Sequence, residues 1–251
     1  MIVIKSESEQ ESMRTACRMA ADVMQKLCTR VHMGITTREL DTYAERLIRE
    51  QGAEPAFKGY RGYPATLCTS VNNGIIHGIP NGRRVENGDI LSIDVGIRYK
   101  GFFGDLAVTI PIGEIAAEAS SLLDVTREAL NRAIAVARPG KRLYDISYTI
   151  QSYVESHGMS VVREFVGHGI GRSLHEEPQI PNYGPPNQGP RLKPGMIFCL
   201  EPMVNLGGSG VRILEDGWTA VTADGSLSAH FEHAVLVTES EPEVLTLPSG
   251  A

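Results

Sequence analysis

Five side chains in this sequence are of types, and in settings, that could do chemistry together: Asp94, Asp105, His168, Glu201 and Glu232. The two aspartates lie in ILSIDVGIRYKGFFGDLAVTI (90–110), where two runs of β-forming residues flank a polar Tyr99-Lys100-Gly101 turn and so predict a hairpin. Closing that hairpin about Tyr99-Lys100 sets Asp94 directly opposite Asp105. Like charges opposed in this way destabilise a sheet, and a strand that buries Ile90, Ile93 and Val95 would not carry them without a remedy. Either the pair shares a proton or a cation lies between the carboxylates.

The other three have unusual surroundings of their own. His168 sits in VGHGIG, where Gly167, Gly169 and Gly171 permit backbone conformations closed to other residues and close approach of another group. Glu201 ends the apolar run MIFCLEP, and Glu232 lies in SAHFEHAVLV as a strand begins. A single buried Glu or His is commonly satisfied by local hydrogen bonds; five such residues at strand ends and glycine turns favour one shared site. Oxygen-rich with one imidazole, the set suits Mn, Fe, Co or Zn and lacks the thiolates of structural zinc sites. Four carboxylates exceed what one divalent ion needs and fit two ions roughly 3.5–4 Å apart, a geometry that generates a bridging hydroxide at neutral pH. The expected reaction class is metal-assisted hydrolysis. Other motifs fall away: His175-Glu176-Glu177-Pro178 has Gln179 where H-E-x-x-H needs histidine, and GHGIG lacks dinucleotide-fingerprint spacing. Ser209 in GGSGV is not a nucleophile elbow.

The elements that must position these residues follow from periodicity. Ser8-Glu9-Gln10-Glu11 opens a first helix with Met13, Cys17, Ala20, Met24 and Leu27 at helical spacing, ending before Gly34. Thr36-x-x-Glu39 is a capping-box pattern for a second, which Gly52 stops. FKGYRGYP (57–64) is a structured loop, and a short strand covers Thr66–Val71 before the Asn72-Asn73-Gly74 turn. After the hairpin come a helix over about Ala116–Ala137 and another that carries Ile146, Ile150 and Val154 and stops at Gly158. Gly34 and Gly140, and likewise Gly52 and Gly158, stand 106 residues apart (140 − 34 and 158 − 52), which points to an internal duplication. Strands are expected at Val161–Val166, Met196–Glu201, Val211–Leu214, Trp218–Thr222 and Phe231–Val237, with a long loop from Glu177 to Gly195. Helices on a curved antiparallel sheet make the class α+β. No flexible linker interrupts the chain, so residues 1–251 are expected to form one catalytic domain with halves of about 1–110 and 111–251.

Composition limits the function classes. With 24 basic against 30 acidic side chains, the net charge of −6 leaves no electrostatic footprint for nucleic acid or an anionic membrane. MIVIKSESEQES turns polar at Lys5, short of a secretory h-region, and no run reaches the length of a membrane helix. Cys17, Cys28, Cys68 and Cys199 are scattered without a C-x-x-C pair, so reduced thiols and a cytoplasmic protein are expected.

At this point the sequence resembles a known family, the type 1 methionine aminopeptidases. The matching blocks are CTSVNNGIIHGIP (68–80), NGDILSIDVG (87–96), GFFGD (101–105), VREFVGHGIGRSLHEEP (162–178), LKPGMIFCLEPMV (192–204) and DGWTAVTADGSLSAHFEHAVLVTE (216–239). The resemblance implies the pita-bread (creatinase/aminopeptidase) fold, with two pseudo-symmetric halves around a curved antiparallel sheet. It implies two divalent metal ions (Co, Mn, Fe or Zn) on Asp94, Asp105, His168, Glu201 and Glu232, with Asp105 and Glu232 bridging. Glu201 would be the general acid/base, and His77 and His175 would hold the substrate and stabilise the tetrahedral intermediate. Tyr60, Tyr63, Cys68, Met203 and Trp218 would line the methionine pocket, where sulfur and aromatic rings suit a thioether. The implied reaction is removal of N-terminal methionine from nascent proteins and peptides, favouring a small second residue, by attack of the bridging hydroxide on the first peptide bond.

The sequence departs from the family pattern at six places. Phe57 stands where cysteine is common, Leu174 replaces an aromatic, and Phe103 stands where histidine is frequent. Gly96 and Leu106 replace hydroxyl residues, and His230 replaces glutamine. All five ligands survive. Two rivals are a proline-specific or creatinase-like peptidase, whose members usually carry a large extra N-terminal domain, and a non-catalytic binding member, which would have lost ligands. The expected partners are N-termini of nascent polypeptides and peptides, with no nucleic acid and no membrane. A ribosome contact would fit that role although no segment argues for it, and the expected state is a monomer.

Overall fold

Ser6, two residues earlier than expected, starts the first helix: its hydroxyl accepts from Glu9 N while the Glu9 carboxylate accepts from Ser6 N. The computed structural model describes residues 1–250. In chain order it contains α1 (Glu7–Arg30), α2 (Thr37–Glu50), β1 (Glu54–Pro55), a 3-10 turn (Tyr60–Gly62), β2 (Leu67–Val71), β3 (Gly74–Ile76), β4 (Ile90–Tyr99) and β5 (Phe102–Pro111). There follow α3 (Ala117–Val136), α4 (Leu143–Ser156), β6 (Ser160–Val161), β7 (Val166–Gly169), β8 (Glu176–Pro181), β9 (Ile197–Leu200) and β10 (Met203–Asn205). The chain ends with β11 (Val211–Ile213), β12 (Ala220–Thr222), β13 (Ser228–His230), β14 (His233–Leu236) and β15 (Glu243–Val244). The described strand ladders are all antiparallel.

The duplicated layout is visible element by element. Adding the 106-residue offset to Thr37–Glu50 gives Leu143–Ser156, and adding it to Glu54–Pro55 gives Ser160–Val161, so α2 and β1 correspond to α4 and β6. Thr36 N donates to Glu39 Oε2 at 2.8 Å, and Arg142 N donates to Asp145 Oδ2 at 2.8 Å, so both helices begin with the same closed first turn. Gly34 and Gly140 have φ of 89° and 88°, the left-handed region that favours glycine. Each half has its own core. Leu40, Ile48, Leu67, Leu91 and Ile93 pack together in the first, and Leu122, Ile146, Ile150, Phe198 and Val204 in the second. A third cluster joins α1 to the second half through Met13, Cys17, Ile197 and Cys199. There α1 lies so close to β5 that a Cβ on Gly104 would stand 2.7 Å from the Ala16 backbone.

Three expectations are corrected. The hairpin closes at Lys100-Gly101, not Tyr99-Lys100: Tyr99 pairs with Phe102, and both loop residues have positive φ (48° and 82°). This is the two-residue turn whose twist matches that of the strands. Asp94 therefore pairs with Ala107 and Asp105 with Gly96, so the aspartates are diagonal neighbours on one face. Second, the stretch beginning at Glu177 is not all loop, because Glu176–Pro181 pairs with β7; Pro178 and Pro181 hid the strand signal. Third, two expected strands are broken. Val161–Val166 divides into β6 and the start of β7, and Phe231–Val237 is reduced to β14 with Glu232 just outside it.

Candidate metal centre

The register places four of the five candidate residues before any side-chain detail is needed. A row runs across the sheet from Cys68 to Asp94, then Ala107, then Glu232, each paired with the next. The last link is closed by Glu232 N donating to Ala107 O at 2.8 Å. Asp105 lies one step along on the same face, opposite Gly96. Ala107, with only a methyl group, keeps the floor open between Asp94 and Glu232.

The second half supplies the opposing pair. β9 pairs with β14 so that Leu200 faces His233, and β10 pairs with β13 so that Met203 faces His230. The two ladders share one register, interrupted at Glu201-Pro202 and Phe231-Glu232. Continued through the break, that register sets Glu201 opposite Glu232. Pro202 has no N–H to give a ladder, and the chain changes sheets at this point. Both glutamates are thus freed from regular pairing and turned toward the aspartates. His168 pairs with Cys199 on β9. Its neighbours Gly167 and Gly169 are required by proximity rather than by unusual φ: a Cβ would lie 2.5 Å from Cys199 O and 2.3 Å from Glu177 O, respectively.

The electrostatics are those of a site built for cations. Asp94 Oδ1, Asp105 Oδ1, Glu201 Oε1 and Glu232 Oε1 are buried, and none has a hydrogen-bond partner among the described residues. Burial, then the Asp105 carboxylate, holds Asp94 well above the usual carboxylate range. Burial raises Asp105 to about 7. Burial with the neighbouring carboxylates also raises Glu201 and Glu232 well above the ordinary value. Four orphaned carboxylates cannot all ionise in a dry site without compensating positive charge. His168 Nδ1 lies 2.9 Å from Gly169 O, which makes Nδ1 the donor and leaves the Nε2 lone pair facing Glu201 Oε1 at 3.4 Å. Burial depresses His168 to about 3, so it is a neutral imidazole. Ligand atoms of Asp105, His168, Cys199 and Glu232 lie within 4.8 Å of one another, as do those of Glu201, His230 and Glu232. Glu232 belongs to both groups. Asp94 belongs to neither and joins the cluster through Asp105. This donor set fits divalent cations.

One cleft opens onto the cluster, lined by Asp94, Asp105, His168, Glu201 and Glu232 on its floor. Tyr60, Tyr63, Cys68, Trp218, His77 and His175 form walls, together with Phe57, Arg61 and Leu174. Tyr63 O–H donates to the Leu67 and Gly78 carbonyls (2.9 and 3.0 Å), fixing its ring edge-on to Trp218. His175 Nδ1 lies 2.8 Å from the Tyr60 hydroxyl, and its ring is 4.3 Å from that of His168. His77 has φ of 58°, a costly conformation for a side-chain-bearing residue, and burial lowers it to about 4. Met203, expected in the pocket, does not line the cleft: it is fully buried with Ile75, Ile76, Val162 and Ala220.

Sequence reasoning missed two members of the cluster. Cys199 has no role in the sequence pattern, and His230 stands out there only as a departure from the family it resembles. Cys199 stands two residues before Glu201 and His230 two before Glu232. The period of two along a strand would have put each on its glutamate's face. Arg61, left-handed at φ 50° and lining the cleft, carries no such pattern.

Comparison with known proteins adds the following. The profile of metallopeptidase family M24 matches residues 11–239. A Bacillus subtilis protein named methionine aminopeptidase 1 is 51% identical over 246 residues, covering 98% of this chain and 99% of that one. The crystal structure of a methionine aminopeptidase from Thermotoga maritima superposes with a TM-score of 0.97 at 47% identity, covering 98% of this chain and 100% of that one. The methionine aminopeptidase structure from Rickettsia prowazekii gives 0.97 at 42% identity, with the same coverage.

Proposed function

This chain belongs to metallopeptidase family M24, and on that footing we propose that it is a methionine aminopeptidase, hydrolysing the bond after an N-terminal methionine and favouring a small second residue. The single observation that carries this reading is the convergence of four carboxylates, each with a buried oxygen left unpartnered, and a neutral histidine at the end of a cleft walled by aromatic rings and the Cys68 thiol. Asp94, Asp105, His168, Glu201 and Glu232 would hold two divalent ions, with Asp105 and Glu232 shared between them. When bound, the cations lower the pKa of water and polarise the scissile carbonyl. Mn, Fe, Co and Zn all suit the donor set.

The chain's own residues supply the remaining steps. Glu201, whose Oε1 is buried without a partner in the cluster, would take a proton from the attacking water and return it to the departing amine. Tyr60 donates its hydroxyl proton to His175 Nδ1, which leaves His175 Nε2–H to meet the carbonyl oxygen as negative charge develops there. His77, neutral at physiological pH, holds the substrate at the cleft wall. Tyr60, Tyr63, Cys68 and Trp218 exclude water around the methionine side chain, whose thioether gains from contact with aromatic rings. The two halves act as one catalytic domain, since neither alone holds the full set of ligands. Substrates are the N-termini of nascent polypeptides and peptides. No described helix is long and apolar enough to cross a membrane, and a cytoplasmic monomer is the proposed working form.

The test is methionine release from Met-Ala and Met-Lys peptides by metal-reconstituted protein, with the Met-Ala peptide preferred. No release with Mn, Fe or Co would sink the proposal. Bound metal of about two equivalents per chain is expected from the paired-carboxylate geometry, and metal analysis of the purified protein checks it.

A further inference from the structure

Gly96 has no left-handed φ to explain it, and strands disfavour glycine. Its reason is steric. A Cβ on residue 96 would stand 2.4 Å from Phe57 Cε1 and 2.9 Å from both Cδ1 and Cζ, far inside contact distance. The backbone holds the ring there: Pro55 pairs with Ile97, and Ala56 N donates to Gly96 O at 2.9 Å. Phe57 is thereby delivered onto the face of β4 that carries Asp94, and Gly96 is the residue paired with Asp105. The ring is 8% exposed, packs in one cluster with Tyr63, Cys68 and Leu174, and lines the cleft.

We propose that Phe57 sets the width of the methionine side-chain cleft and that Gly96 is its obligate partner. The proposal rests on the methionine reading above and adds a specificity determinant to it. A flat, rigid ring fixed beside the carboxylates leaves a slot for an unbranched thioether and excludes a branched side chain of similar bulk, such as leucine.

The experiment is a double-mutant cycle with two readouts, thermal denaturation and kcat/KM on Met-Ala-Ser and Leu-Ala-Ser peptides, for Phe57→Ala, Gly96→Ala and the double variant. Gly96→Ala should lower the melting temperature by about 5 °C in the parent. In the Phe57→Ala background the same substitution should leave it unchanged or raise it, because alanine then costs less strand entropy than glycine. Phe57→Ala should reduce the preference for methionine over leucine by about tenfold. Phe57→Leu, which preserves most of the packing, should reduce it in the same direction. An equal melting-temperature loss from Gly96→Ala in both backgrounds would overturn the partnership, and an unchanged methionine-to-leucine ratio in both Phe57 variants would overturn the specificity role. Absence of methionine release by the parent would overturn the cleft assignment together with the proposed function, while the thermal cycle would still decide the Phe57–Gly96 contact.

Discussion

The two halves of the molecule bring paired carboxylates to the same place by opposite means. In the first half, Asp94 and Asp105 are carried on an unbroken hairpin of two ten-residue strands and lie diagonally, with Ala107 and Gly96 as their respective cross-strand partners. In the second, Glu201 and Glu232 stand in the gap between the β9–β14 and β10–β13 ladders, where regular pairing is interrupted. An intact ladder tolerates two acids by offsetting them and placing small residues between. Where Pro202 interrupts the second ladder, the longer glutamate side chains are free to reach across. A continuous ladder and an interrupted one thus share one cluster, and Glu232 links them, bonded through its N–H to Ala107 O of the first half.

Removing a carboxylate from either half should break the comparison most severely. Glu201→Ala and Asp105→Ala are each expected to cut methionine release by at least about 10³-fold, whereas Glu177→Ala, outside the cleft lining, should stay near the parent rate; a peptide-release assay decides. Next in size is Ala107→Leu, which fills the floor between Asp94 and Glu232. It should weaken metal binding about 10–100-fold, measured by calorimetric titration, and parent-like affinity would show that the floor need not be open.

Glycines at the close approaches sharpen the contrast further. Gly169→Ala meets the Glu177 carbonyl backbone and Gly104→Ala the Ala16 backbone, so each should cost about 1–3 kcal/mol by denaturant titration. Only Gly169→Ala, next to His168, should also weaken metal binding.

The smallest expected effect is the pH dependence of the metal-free protein. The carboxyls of Asp94, Glu201 and Glu232 are raised well above their ordinary values and Asp105 to about 7. Acids so raised stabilise the fold while protonated and withdraw that stability as pH climbs. His168 and His230, depressed to about 3, and His77, to about 4, act oppositely and only below the ordinary histidine value of roughly 6.5. Above it the carboxyls act, joined toward pH 8.5 by the buried thiols of Cys17, Cys68 and Cys199, which burial also raises and which work in the same direction. The melting temperature of chelated protein should therefore fall between pH 6.5 and 8.5, and added Mn should flatten the slope. A rise over that interval would refute the picture of an overcharged, cation-requiring cluster.

Much of this was legible without coordinates. The capping box at Thr36–Glu39, the glycine stops and the 106-residue offset are local signals, and local hydrogen bonding and positive φ produce them wherever the chain goes. The five acidic and imidazole residues were also legible, because a charge in an otherwise apolar strand must be answered by something. Tertiary structure alone decided the rest. Turn geometry moved the hairpin register by two residues, so that Asp94 faces Ala107. Pairing between distant strands brought Glu201 beside Glu232, added Cys199 and His230 to the cluster, and sent Met203 to a core instead of the cleft. Gly96 belongs to that second group: in sequence it is a missing hydroxyl, and only the ring of Phe57, fixed above it by backbone pairing across some forty residues of chain, shows why nothing larger fits. Types and periods are written along the chain, but which faces meet is set by long-range pairing and packing, and those depend on residues no local window contains.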